Sequence, residues 1–434
     1  MPAAQLTDLR VDADRLVRRI EELGAIGGLE GGGCARLALT DEDRLGRDLV
    51  GTWMEDLGLD VHIDAIGNVV GTLAGREDGA PVMTGSHIDT VATGGLYDGN
   101  LGVLAGLEVL ETLARAGVTT RRPMAVGYFT DEEGARFAPD MLGSLVYVGG
   151  LTVEDAYDVV GVDGAVLGEE LDRIGYRGAT PCPGRTPFAF VELHIEQGPV
   201  LEDAAIGIGV VTGVQGISWQ EVRVTGRSSH AGTTPMHLRR DAGYVAMRLG
   251  TFVRELAGEL GEPQVGTVGR LDLRPDLVNV VAASATMTVD LRNVSEAVLE
   301  EAEWRFAACC DELAAAEHCT IERTALARFA PVDFDPRVVD LVEATARRLG
   351  NTTLRMPSGA GHDAQMMARV CPTAMVFVPS VGGISHNVEE FTEPADLEAG
   401  ANVLLQTLLH LAETEADDWA EADHQATESP WAAS

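Results

Sequence analysis

Apolar positions recur at helical spacing through Val11, Leu16, Ile20 and Leu23, which predicts a first helix over Asp12 to Leu23. A second is predicted from Thr40 to Leu57: Thr40 caps an acidic first turn, Asp41-Glu42-Asp43, and Gly58 suits the exit. The period then drops to two, so that Leu59 to Asp64 reads as a strand and Gly67 to Leu73 as its hairpin partner. A short apolar run, Pro81-Val82-Met83, leads into a glycine-rich stretch, TGSHIDTVATGGLYDGN, over residues 84–100. Leu101 to Ala116 forms a strongly apolar helix, and Met124 to Phe129 a short apolar strand that ends at Asp131-Glu132-Glu133. Buried strands alternating with a helix predict an α/β layer whose functional groups lie at strand ends.

From Leu151 to Pro187 the pattern weakens into an acidic helical excursion and a loop rich in proline and glycine. Val191 to Ile195 restores a strand, Gly207 to Val211 continues the sheet, and a domain boundary is expected near Gly213. Beyond it come a strand (Ser218 to Val224), a helix (Arg240 to Glu259), two strands (Gln264 to Val268, and alternating Ala285, Met287, Val289, Leu291) and a long helix over Ser295 to Glu317, capped by Ser295. That order suits an inserted α+β domain with an open sheet, whose edge another subunit could use. Pro336 to Leu349 returns the chain to the first domain, where Ala374 to Val378 is a buried strand and Glu393 to Leu411 a closing helix. The expected fold class is therefore α/β, with a central mixed sheet flanked by helices over residues 1–213 and 330–412. An α+β insert occupies 214–329, and an acidic tail is expected over 413–434.

A chain of 434 residues exceeds what one hydrophobic core usually serves, in keeping with two domains. Its 32 basic and 68 acidic residues give a net charge of −36, which excludes a protein that must neutralise nucleic-acid phosphates. No stretch approaches the roughly 18 apolar residues of a membrane helix, and the N-terminus lacks the order of a secretory signal, so a cytoplasmic protein is expected. Every basic residue is arginine; GC-rich codon usage and a high-salt cytoplasm both account for that, and both bear on solubility rather than fold. Six scattered cysteines without a CxxC pair predict reduced, mostly buried thiols.

The chemistry concentrates in four segments. His87, Asp89 and Asp98 stand in the glycine-rich stretch, Glu132 and Glu133 follow a strand, His194 lies in ELHIEQG and His386 in GGISHNVEE. A two-metal hydrolytic site needs about two nitrogen or oxygen ligands per ion and one carboxylate with an oxygen for each. His87 and His194 can hold one ion, Glu133 and His386 the other, and Asp98 can bridge them. Adjacent side chains in extended structure point apart, which assigns Glu133 to metal and Glu132 to water as general base. Asp89, two residues beyond His87 and on the same face of a strand, is expected to fix that imidazole's tautomer through its carboxylate. His62, His318, His410 and His424 lack such settings.

These segments resemble the binuclear-metal amidohydrolases of the M20 peptidase clan, in the branch of N-carbamoyl-L-amino-acid hydrolases, allantoate amidohydrolases and β-ureidopropionases. The resemblance rests on GSHIDTVATGGLYDGNLGV, DEEGARF, ELHIEQGPVLE, GVQGISW, HAGTTPM, NVV followed by DLRN, SGAGHDA and PSVGGISHNVEE, spread in order over residues 85–390. It implies His87, Asp98, Glu133, His194 and His386 as ligands of two divalent ions per subunit, zinc first, with manganese, cobalt or nickel as alternatives. It further implies Glu132 as base and substrate contacts at Gln197, His230, Asn279, Arg292 and Gly361. Arg292 would clamp a carboxylate and His230 an oxyanion. The insert becomes a lid through which a homodimer forms, and the expected reaction is hydrolysis of the ureido group of an N-carbamoyl-L-amino acid. Allantoate and N-carbamoyl-β-alanine are the neighbouring substrates, with a dipeptidase or a silent binding protein as the remaining alternatives.

Overall fold

The computed structural model describes residues 6–415. Its strands are β1 (Asp60–Ile63), β2 (Val69–Leu73), β3 (Val82–His87), β4 (Met124–Phe129), β5 (Ala189–Ile195), β6 (Ile208–Val214), β7 (Gly216–Thr225), β8 (Val265–Arg274), β9 (Ser284–Asn293), β10 (Thr320–Phe329), β11 (Val332–Asp333), β12 (Thr353–Ser358) and β13 (Thr373–Val378). The longer helices are α1 (Ala13–Gly24), α2 (Asp41–Asp56), α3 (Asn100–Arg115), α4 (Ala242–Leu260), α5 (Glu296–Glu317), α6 (Pro336–Arg348) and α7 (Pro394–Glu413). Two compact units result. The larger comprises the chain up to Thr212, Phe334–Met356 and the residues from Ala360 onward; the smaller comprises Gly213–Asp333 with Pro357–Gly359.

In the larger unit the strand order is β1-β2-β4-β3-β5-β13-β6, with β12 also paired to β6. Its four central strands run the same way, since β3 is parallel to β4 and to β5, and β13 is parallel to β5. The flanking pairs β1/β2, β2/β4 and β13/β6 are antiparallel, so the sheet is mixed. All residues of β3, β4, β5 and β13 are buried, and α3 is buried from Asn100 to Leu113. A helix apolar around most of its circumference must be enclosed, which is why Leu101, Val103, Leu104, Leu107, Val109 and Leu110 sit fully inside the protein. The helix starts behave as their sequences suggest: Thr40 accepts the Asp43 N–H at 3.2 Å, and Asp12 caps α1 through the Arg15 N–H.

The smaller unit is a four-stranded sheet, β10-β7-β9-β8, backed by α4 and α5. β9 alternates strictly, with Ala285, Met287, Val289 and Leu291 turned into a core that includes Val222, Leu249, Val253 and Phe306.

Several expectations need correction. β10 is a fourth strand of the insert that the sequence reading lacks; it is an edge strand with mostly exposed side chains, so burial imposes no alternation on it. β12 is likewise a strand that the sequence reading lacks. Ser295 flanks α5 without a side-chain cap; its N–H instead donates to Asn293 Oδ1 at 2.8 Å. Glu413 does not begin a tail: it ends α7 and accepts from Arg76 and from the Arg121 N–H. The remaining tail from residue 416, with His424, lies outside the described residues. All six cysteines are free, four of them buried. Among the described residues no helix is long and apolar enough to cross a membrane.

Candidate metal centre

Because β4, β3, β5 and β13 are adjacent and parallel, their carboxyl ends share one edge of the sheet, and each delivers a functional group there. His87 is the last residue of β3, whereas the sequence reading ended that strand near Met83. His194 is the penultimate residue of β5, and Glu132 and Glu133 follow β4. His386 comes eight residues after the end of β13. Asp98 immediately precedes the turn into α3, where Gly99 takes φ +66°. A Cβ at Gly99 would fall 2.3 Å from the His87 ring, so only glycine lets the helix start this close to the imidazole.

The side chains form two groups around one carboxylate. Asp98 Oδ1 lies 3.2 Å from His194 Nε2 and 3.8 Å from His87 Nε2. Asp98 Oδ2 lies 3.2 Å from His386 Nε2, which in turn is 3.3 Å from Glu133 Oε2. Within each group, His87-Asp98-His194 and Asp98-Glu133-His386, the candidate ligand atoms lie within 4.8 Å of one another. Glu132 Oε2 is 3.3 Å from His87 Nε2, and Gln197 donates to Asp98 Oδ2 at 2.9 Å. The two glutamates do diverge, but not by strand alternation: residues 131–133 form a bend, with Asp131 at φ +57°.

Burial, followed by neighbouring carboxylates, pushes Glu132 and Glu133 well above the usual carboxyl range. Burial would raise Asp98 too, but hydrogen bonds from His194 and His386 hold it well below. Burial lowers His87 to about 4. Three buried carboxylates facing three imidazoles, with oxygen and nitrogen atoms converging on two points, are a donor set suited to divalent cations. A third grouping, Glu192-His194-His362, shares His194 with the first. Glu192 already accepts from Ser86 Oγ and from the Ala364 N–H, and His194 Nδ1 donates to the Ile195 carbonyl at 2.9 Å.

The expected role of the Asp89 carboxylate is not the one observed. His87 Nδ1 is 2.9 Å from the main-chain carbonyl of Asp89, while the carboxylate oxygens stand 3.4 Å from the N–H groups of Glu132 and Glu133. Asp89 therefore steadies the following carboxylate segment, and its peptide, not its side chain, orients the imidazole.

The remaining predicted residues divide between the units. Gly361 precedes His362, whose ring meets His194 edge-on at 4.5 Å between centroids. His230, Asn279 and Arg292 belong to the smaller unit. There the Asn279 carbonyl accepts the Ala231 N–H, beside a bridge between His230 and Val280. His230 Nδ1 accepts from the N–H groups of Gly232 and Thr233 at 3.0 and 3.3 Å, which leaves Nε2 to carry the proton of the neutral ring. Arg292 forks onto Asp290 at 3.0–3.1 Å. Sequence reasoning missed His362, Glu192, Ser385 and Glu390. His362 carried a usable signal, a histidine beside an aspartate among glycines, as at His87.

The sequence profile of Peptidase family M20/M25/M40 matches residues 83–410. The chain belongs to that family. Enzymes of the family use divalent metals, in agreement with the two groups built on Asp98. This family member is 42% identical over 416 residues, 95% of its length and 99% of the relative's, to the N-carbamoyl-L-amino-acid amidohydrolase of Rhizobium meliloti. It is 38% identical over 410 residues, 93% of its length and all of the relative's, to that of Geobacillus stearothermophilus. Among solved structures, the amidase of the hydantoinase/carbamoylase family from Burkholderia multivorans superposes with a TM-score of 0.91 at 44% identity, covering 94% of this chain and 100% of that one.

Proposed function

We propose that this chain is a metal-dependent amidohydrolase that cleaves the ureido group of an N-carbamoyl-L-amino acid to the free amino acid, CO₂ and ammonia. The observation that carries the reading is Asp98, which offers one oxygen to each of two ligand groups. The near full-length similarity to enzymes named for that substrate supplies the substrate class.

His87, His194 and Asp98 would hold one divalent ion and Glu133, His386 and Asp98 the second. Bound there, the ions would polarise the ureido carbonyl and acidify a water. Glu132, buried beside the first group, would accept a proton from the attacking water and pass it to the leaving nitrogen. His230, with its proton held on Nε2, donates to the developing oxyanion. Arg292 and Asn279, with Gln197 and the Gly361 backbone, hold the substrate, the guanidinium taking its carboxylate. Zinc is the proposed ion, to be distinguished from manganese, cobalt and nickel by elemental analysis. The reading extends to a cytoplasmic homodimer paired through the lid sheet, whose edge strands β8 and β10 leave Val265, Leu271 and Leu326 exposed.

The test is ammonia release from purified enzyme given an N-carbamoyl-L-amino acid, allantoate, N-carbamoyl-β-alanine or a dipeptide. Preference for the first, abolished by chelation and restored by a divalent ion, is the expected result. Full turnover in a verified metal-free sample would end the reading.

A further inference from the structure

Glu390, a residue remote in sequence from Asp98, takes hold of it from behind. Glu390 is 5% exposed, and its Oε1 accepts the main-chain N–H groups of both Tyr97 and Asp98, at 3.0 and 3.1 Å. Its Oε2 lies 2.9 Å from Ser385 Oγ, and that same hydroxyl lies 3.1 Å from Asp98 Oδ2. One glutamate thus meets Asp98 twice: at its main chain directly, and at its side chain through a serine. The space for this carboxylate is created by the loop itself. A Cβ at Gly95 would fall 2.0 Å from Glu390 Oε1 and 2.2 Å from Cδ, so the second glycine of TGGLYDG is the seat in which Glu390 rests.

A glutamate that merely satisfied two loop amides would account for the Oε1 limb. It would not account for the Ser385 hydroxyl standing between the two carboxylates, on the Oδ2 oxygen and not on Oδ1. We propose that Glu390 is a positioning residue that fixes Asp98 between its two ions. The Oε1 limb sets the main chain of Asp98, and the Ser385 limb aims Oδ2 toward His386 and Glu133. This rests on the two-ion reading of the site.

The two limbs have different reach. Release of the main chain displaces both oxygens of Asp98, so loss of Glu390 weakens both ions. Release of the Ser385 hydroxyl acts on Oδ2 alone and leaves it with the Gln197 amide at 2.9 Å, so its loss weakens the ion at Glu133 and His386 and spares the one at His87 and His194.

The experiment is a calorimetric titration of metal-stripped full-length protein with Mn²⁺, for wild type, Glu390→Ala, Glu390→Gln and Ser385→Ala. Circular dichroism and melting of the ion-free samples establish that each variant is folded. Wild type should take up two ions. Glu390→Ala should lose about tenfold or more in affinity at both, as for other residues that support a metal ligand. Glu390→Gln, which keeps an oxygen for the two N–H groups, should recover most of that loss, and Ser385→Ala should weaken one ion only. The proposal is overturned if folded Glu390→Ala binds both ions as tightly as wild type, even with a lowered melting temperature. Should Glu390→Ala not fold, unchanged or equal losses at both ions in Ser385→Ala overturn it instead. A wild type that binds fewer than two ions defeats the two-ion reading itself, before any variant is compared.

Discussion

The ring of His87 is held by the backbone of Asp89: Nδ1 lies 2.9 Å from that residue's carbonyl oxygen, which can only accept. The proton of the neutral imidazole is therefore on Nδ1 and the lone pair on Nε2 faces Asp98 and Glu132. Asp89→Asn leaves that carbonyl untouched while weakening the support that the carboxylate gives to the Glu132 and Glu133 amides. The expected outcome is an unchanged ion count, by elemental analysis, with kcat lowered several-fold. Loss of one ion would show that the carboxylate orients the ring after all.

Glu132→Gln removes the proposed base and keeps its shape. Because a positioned proton acceptor contributes roughly 10² to 10⁴ in rate, kcat should fall by about that factor with both ions retained. A rate within threefold of wild type would reassign the base.

Proton linkage gives a third expectation. In the ion-free protein, burial lifts both Asp89 and Glu390 to about 7. Burial would lower His194, but its hydrogen bond to Asp98 outweighs this and lifts it to about 9. A group with a raised folded pKa binds more protons folded than unfolded, so stability is lost as pH climbs toward that value. His87, lowered by burial from 6.5 to about 4, works in the opposite direction, but only below 6.5. The melting temperature of metal-stripped protein should thus fall between pH 6.5 and 9, and bound ions should flatten the slope. A melting temperature that rises across that interval in the stripped protein contradicts the assignment.

Arg47 is fully buried, with Nε 2.7 Å from Asp43 Oδ2 and Nη1 2.7 Å from the Gly67 carbonyl. Arg47→Ala strands a buried carboxylate and should cost about 3–5 kcal/mol, read from the urea midpoint. The paired change Asp43→Leu with Arg47→Met removes both charges and should recover most of it. No recovery would mean that the arginine's bonds to the Gly67 carbonyl and, at 3.3 Å, to Thr130 Oγ1 dominate.

The sequence carried the centre of the larger unit well because β3, β4, β5 and β13 are buried on both faces and α1, α2 and α6 begin at side chains that cap them. β10 and β12 were illegible for the opposite reason: partly exposed strands are set by pairing partners far away in the chain, which leave little trace in local pattern. The same distinction runs through the site. His87, Asp98, Glu133, His194 and His386 could be singled out because each stands in a run of glycines or at the end of an apolar strand. The support around them could not, since Glu390 reaches Tyr97 across 293 residues and Glu192 reaches Ala364 across 172. The Asp89 error is of another kind. Spacing places a side chain on a face, but it does not tell whether the peptide or the side chain will make the bond.

The order in which the chain is made gives the shared edge of the parallel strands a further meaning. His87 emerges early and His386 near the end, on a loop that exists only once β13 has entered between β5 and β6. A chain that stops before β13 lacks His386 and with it one member of the group Asp98-Glu133-His386. On the proposed two-ion reading, full metal loading would require that last central strand to be in place, so ion content would follow completed assembly as well as catalytic competence.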